Sequence, residues 1–106
     1  MPGFNEKVWA LFRKIPKGKV TTYKLVAKAL GKPNATRAVG NACRANLHAP
    51  KIPCHRVVKS NGSVGGYAYG QKKKIALLAK EGIKVKNGKI MCFDDRLFSY
   101  FAKKDK

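Results

Sequence analysis

The chain has 106 residues and a formal net charge of +19, from 24 Lys and Arg against 5 Asp and Glu. That length makes one domain, residues 1–106, and so large an excess of one sign self-repels in the compact state and calls for a polyanionic partner, nucleic acid first. A membrane span is excluded, since no stretch approaches the roughly 18 to 20 apolar residues that spanning needs, and 44% apolar residues with 5 Phe, 4 Tyr and a Trp argue against disorder.

Phe4, Val8, Leu11, Phe12 and Ile15 recur at helical spacing and predict a helix from about Asn5 to Arg13, closed by Ile15-Pro16-Lys17-Gly18. Nothing there reads as a signal peptide. Thr21 or Thr22 caps a second, short helix carrying Leu25, Val26, Ala29 and Leu30, with Gly31 as its stop. From Ala35 to about Asn46 the apolar set is small: Ala35, Ala38, Val39, Ala42 and Ala45. Arg37 and Arg44 fall on other faces. The two helices read as a helix-turn-helix whose second helix can approach a DNA groove closely.

After a Pro-bounded loop from His48 to Pro53, Asn61-Gly62 separates two short extended runs, Val57–Ser60 and Ser63–Val64, and predicts a hairpin that could serve as a wing. Lys72 to Glu81 is helical through Ile75, Leu78 and Ala79 and stops at Gly82, and Asn87-Gly88 predicts a second small hairpin between Val85 and Ile90. Asp94 or Asp95 is expected to cap a last helix with Leu97, Phe98 and Phe101 inward and Lys103 and Lys104 at its favourable dipole end. The expected fold class is mainly α, a winged-helix-like helix-turn-helix domain with small β-hairpins.

Cys43, Cys54 and Cys92 are odd in number and read as reduced thiols; with only His48 and His55 and no C-x-x-C, a zinc site is not expected. The stretch Ile52-Pro53-Cys54-His55-Arg56-Val57-Val58 is where chemistry could sit. His55, Arg56 and the positive field could each lower the thiol pKa, which is near 8.5 when unperturbed; composition alone, however, favours an inert buried thiol. Glu81 is the only carboxylate from Lys7 to Phe93. It is either a surface ion-pair partner or an orienter for His55, and Cys, His and Glu are the parts of an activated-nucleophile relay.

Pro53-Cys54-His55-Arg56-Val57, preceded by Arg37-Ala38-Val39-Gly40-Asn41 and Asn46 and followed by Ser60-Asn61-Gly62, Gly65-Gly66-Tyr67 and Leu77-Leu78-Ala79-Lys80-Glu81-Gly82, closely resembles the C-terminal domain of O6-alkylguanine-DNA alkyltransferase. The resemblance runs from about Phe4 to Gly82; residues 83–106 add little and are expected to be a variable tail. It implies irreversible transfer of an alkyl group from guanine O6 in duplex DNA to Cys54, each molecule acting once, after the nucleotide is flipped out at a cost of a few kcal/mol. In that reading His55 takes the Cys54 proton through a bridging water, Glu81 orients the imidazole, Tyr23 helps guanine leave, and Asn46 braces the turn. Arg37 would fill the vacated base stack from the minor groove, and Thr22, Ala38, Arg44 and Arg56 would join it on the DNA. Val57, Tyr67, Ala68 and Tyr69 would shape the pocket, the carbonyls of Cys54 and Val57 reading the guanine amino group. Ala68 and Tyr69 stand where many members have smaller or hydroxyl-bearing residues, so methyl adducts are expected to be accepted better than benzyl ones.

The resemblance further implies no cofactor or metal, a monomer on double-stranded DNA, and a cytoplasmic place at the nucleoid; the family's usual N-terminal domain is not seen in this sequence. The rivals are an alkyltransferase-like protein, which binds and flags the lesion but typically replaces the acceptor cysteine, and an architectural winged-helix protein without chemistry. The presence of Cys54 argues against both.

Overall fold

The computed structural model describes residues 3–46, 51–67 and 69–100. Helix α1 (Phe4–Phe12) starts where the Glu6 carboxylate accepts the Gly3 N–H at 2.7 Å, and it buries Val8 and Phe12. A two-residue strand, β1 (Thr21–Thr22), leads into α2 (Tyr23–Ala29). Thr22 Oγ1 accepts the Leu25 N–H at 3.0 Å, a cap worth about 1 kcal/mol. Helix α3 (Thr36–Arg44) turns Val39, Ala42 and Cys43 inward and packs on α2, and Trp9 Nε1 donates to the Ala42 carbonyl at 2.9 Å, tying α1 to its back. This is the expected helix-turn-helix, its small inward side chains leaving Arg37 and Arg44 exposed.

The chain then forms a 3-10 turn, Cys54–Arg56, and strand β2 (Val57–Val58), followed by α4 (Gln71–Lys80), a hairpin of β3 (Val85–Lys86) and β4 (Lys89–Ile90), and a single helical turn, α5 (Phe93–Arg96). The hairpin is the predicted one: Asn87 and Gly88 both take positive φ, 52° and 77°, as a tight two-residue connection demands. One buried cluster, around Val8, Phe12, Val26, Val39 and Cys54, sits under the three N-terminal helices. A second, of Val20, Val58, Val64, Leu78, Ile83 and Ile90, joins α4 to the hairpin.

Two expectations are corrected. Val57–Val58 does not pair back across Asn61-Gly62; it lies parallel to β1, with Thr21 opposite Val57 and Thr22 opposite Val58. All four residues are buried, and a strand covered on both faces needs a neighbour that is covered too, which an exposed hairpin arm cannot be. The last helix is only Phe93–Arg96, with Asp94 and Asp95 inside its first turn and Cys92, at φ 56°, before it. Leu97 and Phe98 instead run along Val20, where Val20 N–H meets the Arg96 carbonyl at 2.8 Å and Phe98 N–H meets the Val20 carbonyl at 2.7 Å. Phe101, Lys103 and Lys104 lie outside the described residues. Residues 83–100 are packed into the domain: Ile83 and Ile90 are core, and the Tyr100 hydroxyl donates to the Leu11 carbonyl at 2.7 Å.

Candidate active site

The parallel pairing of β1 with β2 sets the site, because it places Tyr23, one residue past β1, beside the turn that carries Cys54. Cys54 is fully buried. Asn46, also buried, donates from Nδ2 to the Ile52 carbonyl at 2.8 Å and so braces the approach to the turn. Cys43, reaching down from α3, donates from Sγ to the Cys54 carbonyl at 3.6 Å and also hydrogen-bonds its thiol. That bond, helped by Asn46 and by the Lys74 charge, lowers the Cys54 pKa against the opposing effect of burial. The shared proton stays with Cys43, whose thiol is pushed far up by the same contact and by burial.

Beside it, His55 Nε2 lies 3.0 Å from Glu81 Oε2. Burial holds the imidazole below its usual pKa despite the carboxylate, so it is neutral at pH 7. Glu81 stays ionised: burial raises its pKa, but hydrogen bonds from Arg56 and His55 more than offset that. A carboxylate can only accept, so Nε2 carries the proton and Nδ1 is a bare acceptor. Nδ1 is buried and has no hydrogen-bond partner among the described residues. His55 and Glu81 thus meet as the relay requires, although His55 makes no direct hydrogen bond to Cys54 among the described contacts.

Arg56, expected on DNA, is engaged internally instead. Its Nε and one terminal nitrogen hold the two oxygens of Glu81 at 2.9 and 2.7 Å, and the other terminal nitrogen donates to the Ile15 carbonyl at 2.8 Å. The bidentate geometry fixes the carboxylate that fixes the histidine. Thr22 is likewise occupied as the α2 cap and is buried.

Lys74 was not singled out from the sequence. It is fully buried in α4, and its Nζ donates to the Val57 carbonyl at 2.6 Å and the Gly66 carbonyl at 3.0 Å, with the Tyr23 hydroxyl at 3.5 Å. Burial pulls its pKa down to about 8. It reads in the sequence as the end of a solvated Lys72-Lys73-Lys74 run; the signal that could have found it is its spacing of four from Leu78, the other buried residue of α4.

A cavity of about 310 Å³ opens above these groups, lined by Tyr23, Thr36, Gly40, Cys43, Arg44, Lys59, Ser60 and Gly66. Cys43 and Tyr23 line the cavity, whereas the buried Cys54 is not among its described lining residues. Burial and the Cys43 contact push the Tyr23 phenol far up, so it keeps its proton. Gly65 is required here: at φ 78° a Cβ would stand 3.2 Å from the Tyr23 hydroxyl. Tyr67 is buried, while Tyr69 is 50% exposed and meets Tyr67 edge-on at 5.8 Å; neither is among the described residues that line the cavity. Ala68 and His48 lie outside the described residues. Arg37 is exposed at the start of α3 with no partner among the described residues, and Ala38 beside it is half-buried. Because Cys43 and Cys54 are buried and Cys92 is exposed, titration of the native protein with an aromatic disulfide reagent is expected to show one fast thiol, lost in Cys92→Ser, and two slow ones.

Comparison with known proteins gives these positions a context. The family model of the 6-O-methylguanine DNA methyltransferase DNA-binding domain matches residues 3–83. The chain is 47% identical over 78 residues to the bifunctional transcriptional activator/DNA repair enzyme Ada of Escherichia coli, covering 74% of this chain and 22% of that protein. It is 52% identical over 75 residues to a probable methylated-DNA–protein-cysteine methyltransferase of Acanthamoeba polyphaga mimivirus, covering 71% and 50%. It therefore spans half or less of the length of these curated relatives. Among solved structures it resembles Mycobacterium tuberculosis OGT in complex with DNA, with a TM-score of 0.73 and 40% identity over 76% of this chain and 50% of that one. It also resembles S. pombe Atl1 in complex with damaged DNA containing O6-carboxymethylguanine, with a TM-score of 0.81 and 27% identity over 93% and 99%. With the match running from α1 through α4 and across the Cys54 turn, the chain belongs to the family of the 6-O-methylguanine DNA methyltransferase DNA-binding domain.

Proposed function

We propose that this domain repairs DNA by direct reversal, taking an alkyl group from guanine O6 onto Cys54. The observation that carries the reading is the Cys54–His55–Glu81 set, its cysteine and histidine buried, in which Glu81 fixes the imidazole so that Nδ1 is the free base. Cys54 loses its proton to His55 Nδ1, through one water, and the thiolate attacks the alkyl carbon. A sulfur–carbon bond forms, the carbon–O6 bond breaks, and guanine leaves as an anion that the protonated Tyr23 phenol stabilises and can protonate. The thioether does not hydrolyse, so each molecule acts once, and the transfer balances with no cofactor or metal.

A methyl on O6 sits inside the base stack, so the nucleotide must leave it. A slim α3 entering the minor groove, with Arg37 at its start to fill the gap and Arg44 on the cavity rim, suits that task. Binding as a monomer, in the cytoplasm at the nucleoid, fits the reading; among the described residues no helix is long and apolar enough to cross a membrane.

One observation favours a second reading, non-catalytic flagging of the lesion: the end-to-end likeness to Atl1. Intact-mass measurement after incubation with duplex DNA containing O6-methylguanine separates the two. The expected result is a gain of one methylene on the Cys54 peptide, absent in Cys54→Ala. Lesion-dependent binding with no mass gain would establish the second reading instead.

A further inference from the structure

The segment after Ile83 lies outside the family match, yet the fold attaches it to the mouth of the cavity. Lys59 and Ser60 line that cavity together with Thr36, Gly40 and Arg44 of α3. The turn they begin is closed by Lys59 N–H to the Ser63 carbonyl and Gly62 N–H to the Lys59 carbonyl, each 2.9 Å. It is stitched to the β3–β4 hairpin by Ile90 N–H to the Gly62 carbonyl at 2.9 Å and Val64 N–H to the Gly88 carbonyl at 2.8 Å, with Ser63 opposite Lys89. The Phe93 ring closes the underside, lying 3.6 Å from where a Gly62 Cβ would be. Turn and hairpin are one body.

That body is basic without counter-charge. Lys59, Lys84, Lys86 and Lys89 are all exposed, and none makes an ion pair among the described residues. Within the hairpin the apolar pair Val85 and Ile90 supplies the packing, while Lys86 stands directly opposite Lys89. Like charges opposed across an antiparallel pair weaken it, and a hairpin this short has little stability to spare. Folding alone gives no reason for that pairing, whereas a polyanion lying across it would turn repulsion into binding through counterion release.

We infer that Lys84, Lys86 and Lys89, with Lys59 at the cavity rim, form a wing that grips the phosphate backbone of duplex DNA beside the segment held by α3. The inference rests on the DNA-binding part of the proposed function and not on alkyl transfer. The test is the salt dependence of binding by the full chain to undamaged duplex DNA. In Lys84→Gln/Lys86→Gln/Lys89→Gln the slope of log affinity against log salt is expected to fall by about 2 to 3, since each phosphate contact contributes roughly 0.9. The single variant Lys86→Gln is expected to lose about 1. A control triple, Lys7→Gln/Lys14→Gln/Lys17→Gln, exposed on and after α1, is expected to leave the slope unchanged. The transfer rate at saturating lesion DNA is expected to match the unsubstituted chain in the control triple. An unchanged slope in the wing triple overturns the inference, as does an equal loss in the control, which would mean that only net charge matters. Loss of transfer in the unsubstituted chain would count against the repair reading and leave the wing standing.

Discussion

Glu81→Gln is expected to destabilise the domain by about 3 kcal/mol at neutral pH and to slow alkyl transfer by roughly 10²-fold or more. The carboxylate accepts three hydrogen bonds, two from Arg56 and one from His55. A glutamine of the same shape keeps one oxygen and turns an NH₂ group toward another donor, leaving the Arg56 charge without its counter-ion and with only neutral acceptors, the one amide oxygen and the Ile15 carbonyl. Removing one partner of a buried pair costs about 3 to 5 kcal/mol, and side-chain exposures of 10% and 17% place this pair at the lower end. The catalytic loss has a separate cause: without an anion at Nε2, nothing fixes the proton there, and Nδ1 is no longer held as the base.

The pH dependence identifies the origin of the stability change. Glu81 has a folded pKa below its unfolded value, so its contribution is whole above about pH 4.3 and disappears as pH falls through the folded value. His55 works in the same direction at higher pH: its folded pKa is depressed, so stability drains as pH falls below about 6.5 and the unfolded chain protonates. Urea denaturation across this range should show the Gln variant and the unsubstituted chain far apart at pH 7 and converging toward pH 3. Equal midpoints at neutral pH would show that the Arg56–Glu81–His55 contact contributes nothing.

The unequal legibility of the sequence follows from the range of each interaction. Helices α1 to α4 are readable because their signals are local: apolar spacing, the Thr22 cap, and the glycine stops at Gly31 and Gly82, both at positive φ. The Asn87-Gly88 turn is local in the same way. The pairing of Thr21–Thr22 with Val57–Val58 is not, since its partners are 36 residues apart and two-residue strands are too short for periodicity to reveal. Arg56 misled for a related reason, because a cation in a strongly basic chain reads as a phosphate contact until its carboxylate is located. Glu81 was legible for the opposite reason: one acid in a basic span stands out.

Lys74 is the residue whose loss should separate chemistry from packing. In Lys74→Met the stem is kept, the Val57 and Gly66 carbonyls lose their donor, and a buried charge disappears. The first change destabilises by about 1 to 3 kcal/mol for each carbonyl left unpaired; the second relieves the penalty that pulls the ammonium down to about 8, so the two effects oppose. Cys54 has no such compensation. Of the groups that face it, Cys43 and Tyr23 keep their protons, His55 is neutral and Asn46 uncharged, which leaves Lys74 as the cation supporting the thiolate. Its removal raises the Cys54 pKa, and transfer at pH 7 should fall about tenfold for each unit of that rise. The discriminating measurement is single-turnover transfer against pH. In the unsubstituted chain the ammonium's help fades above about pH 8 as Lys74 itself deprotonates, whereas the Met variant should keep gaining rate on the alkaline side until the two profiles approach each other. A merely loosened pocket would lower the rate by the same factor at every pH, and parallel profiles would remove Lys74 from the chemistry.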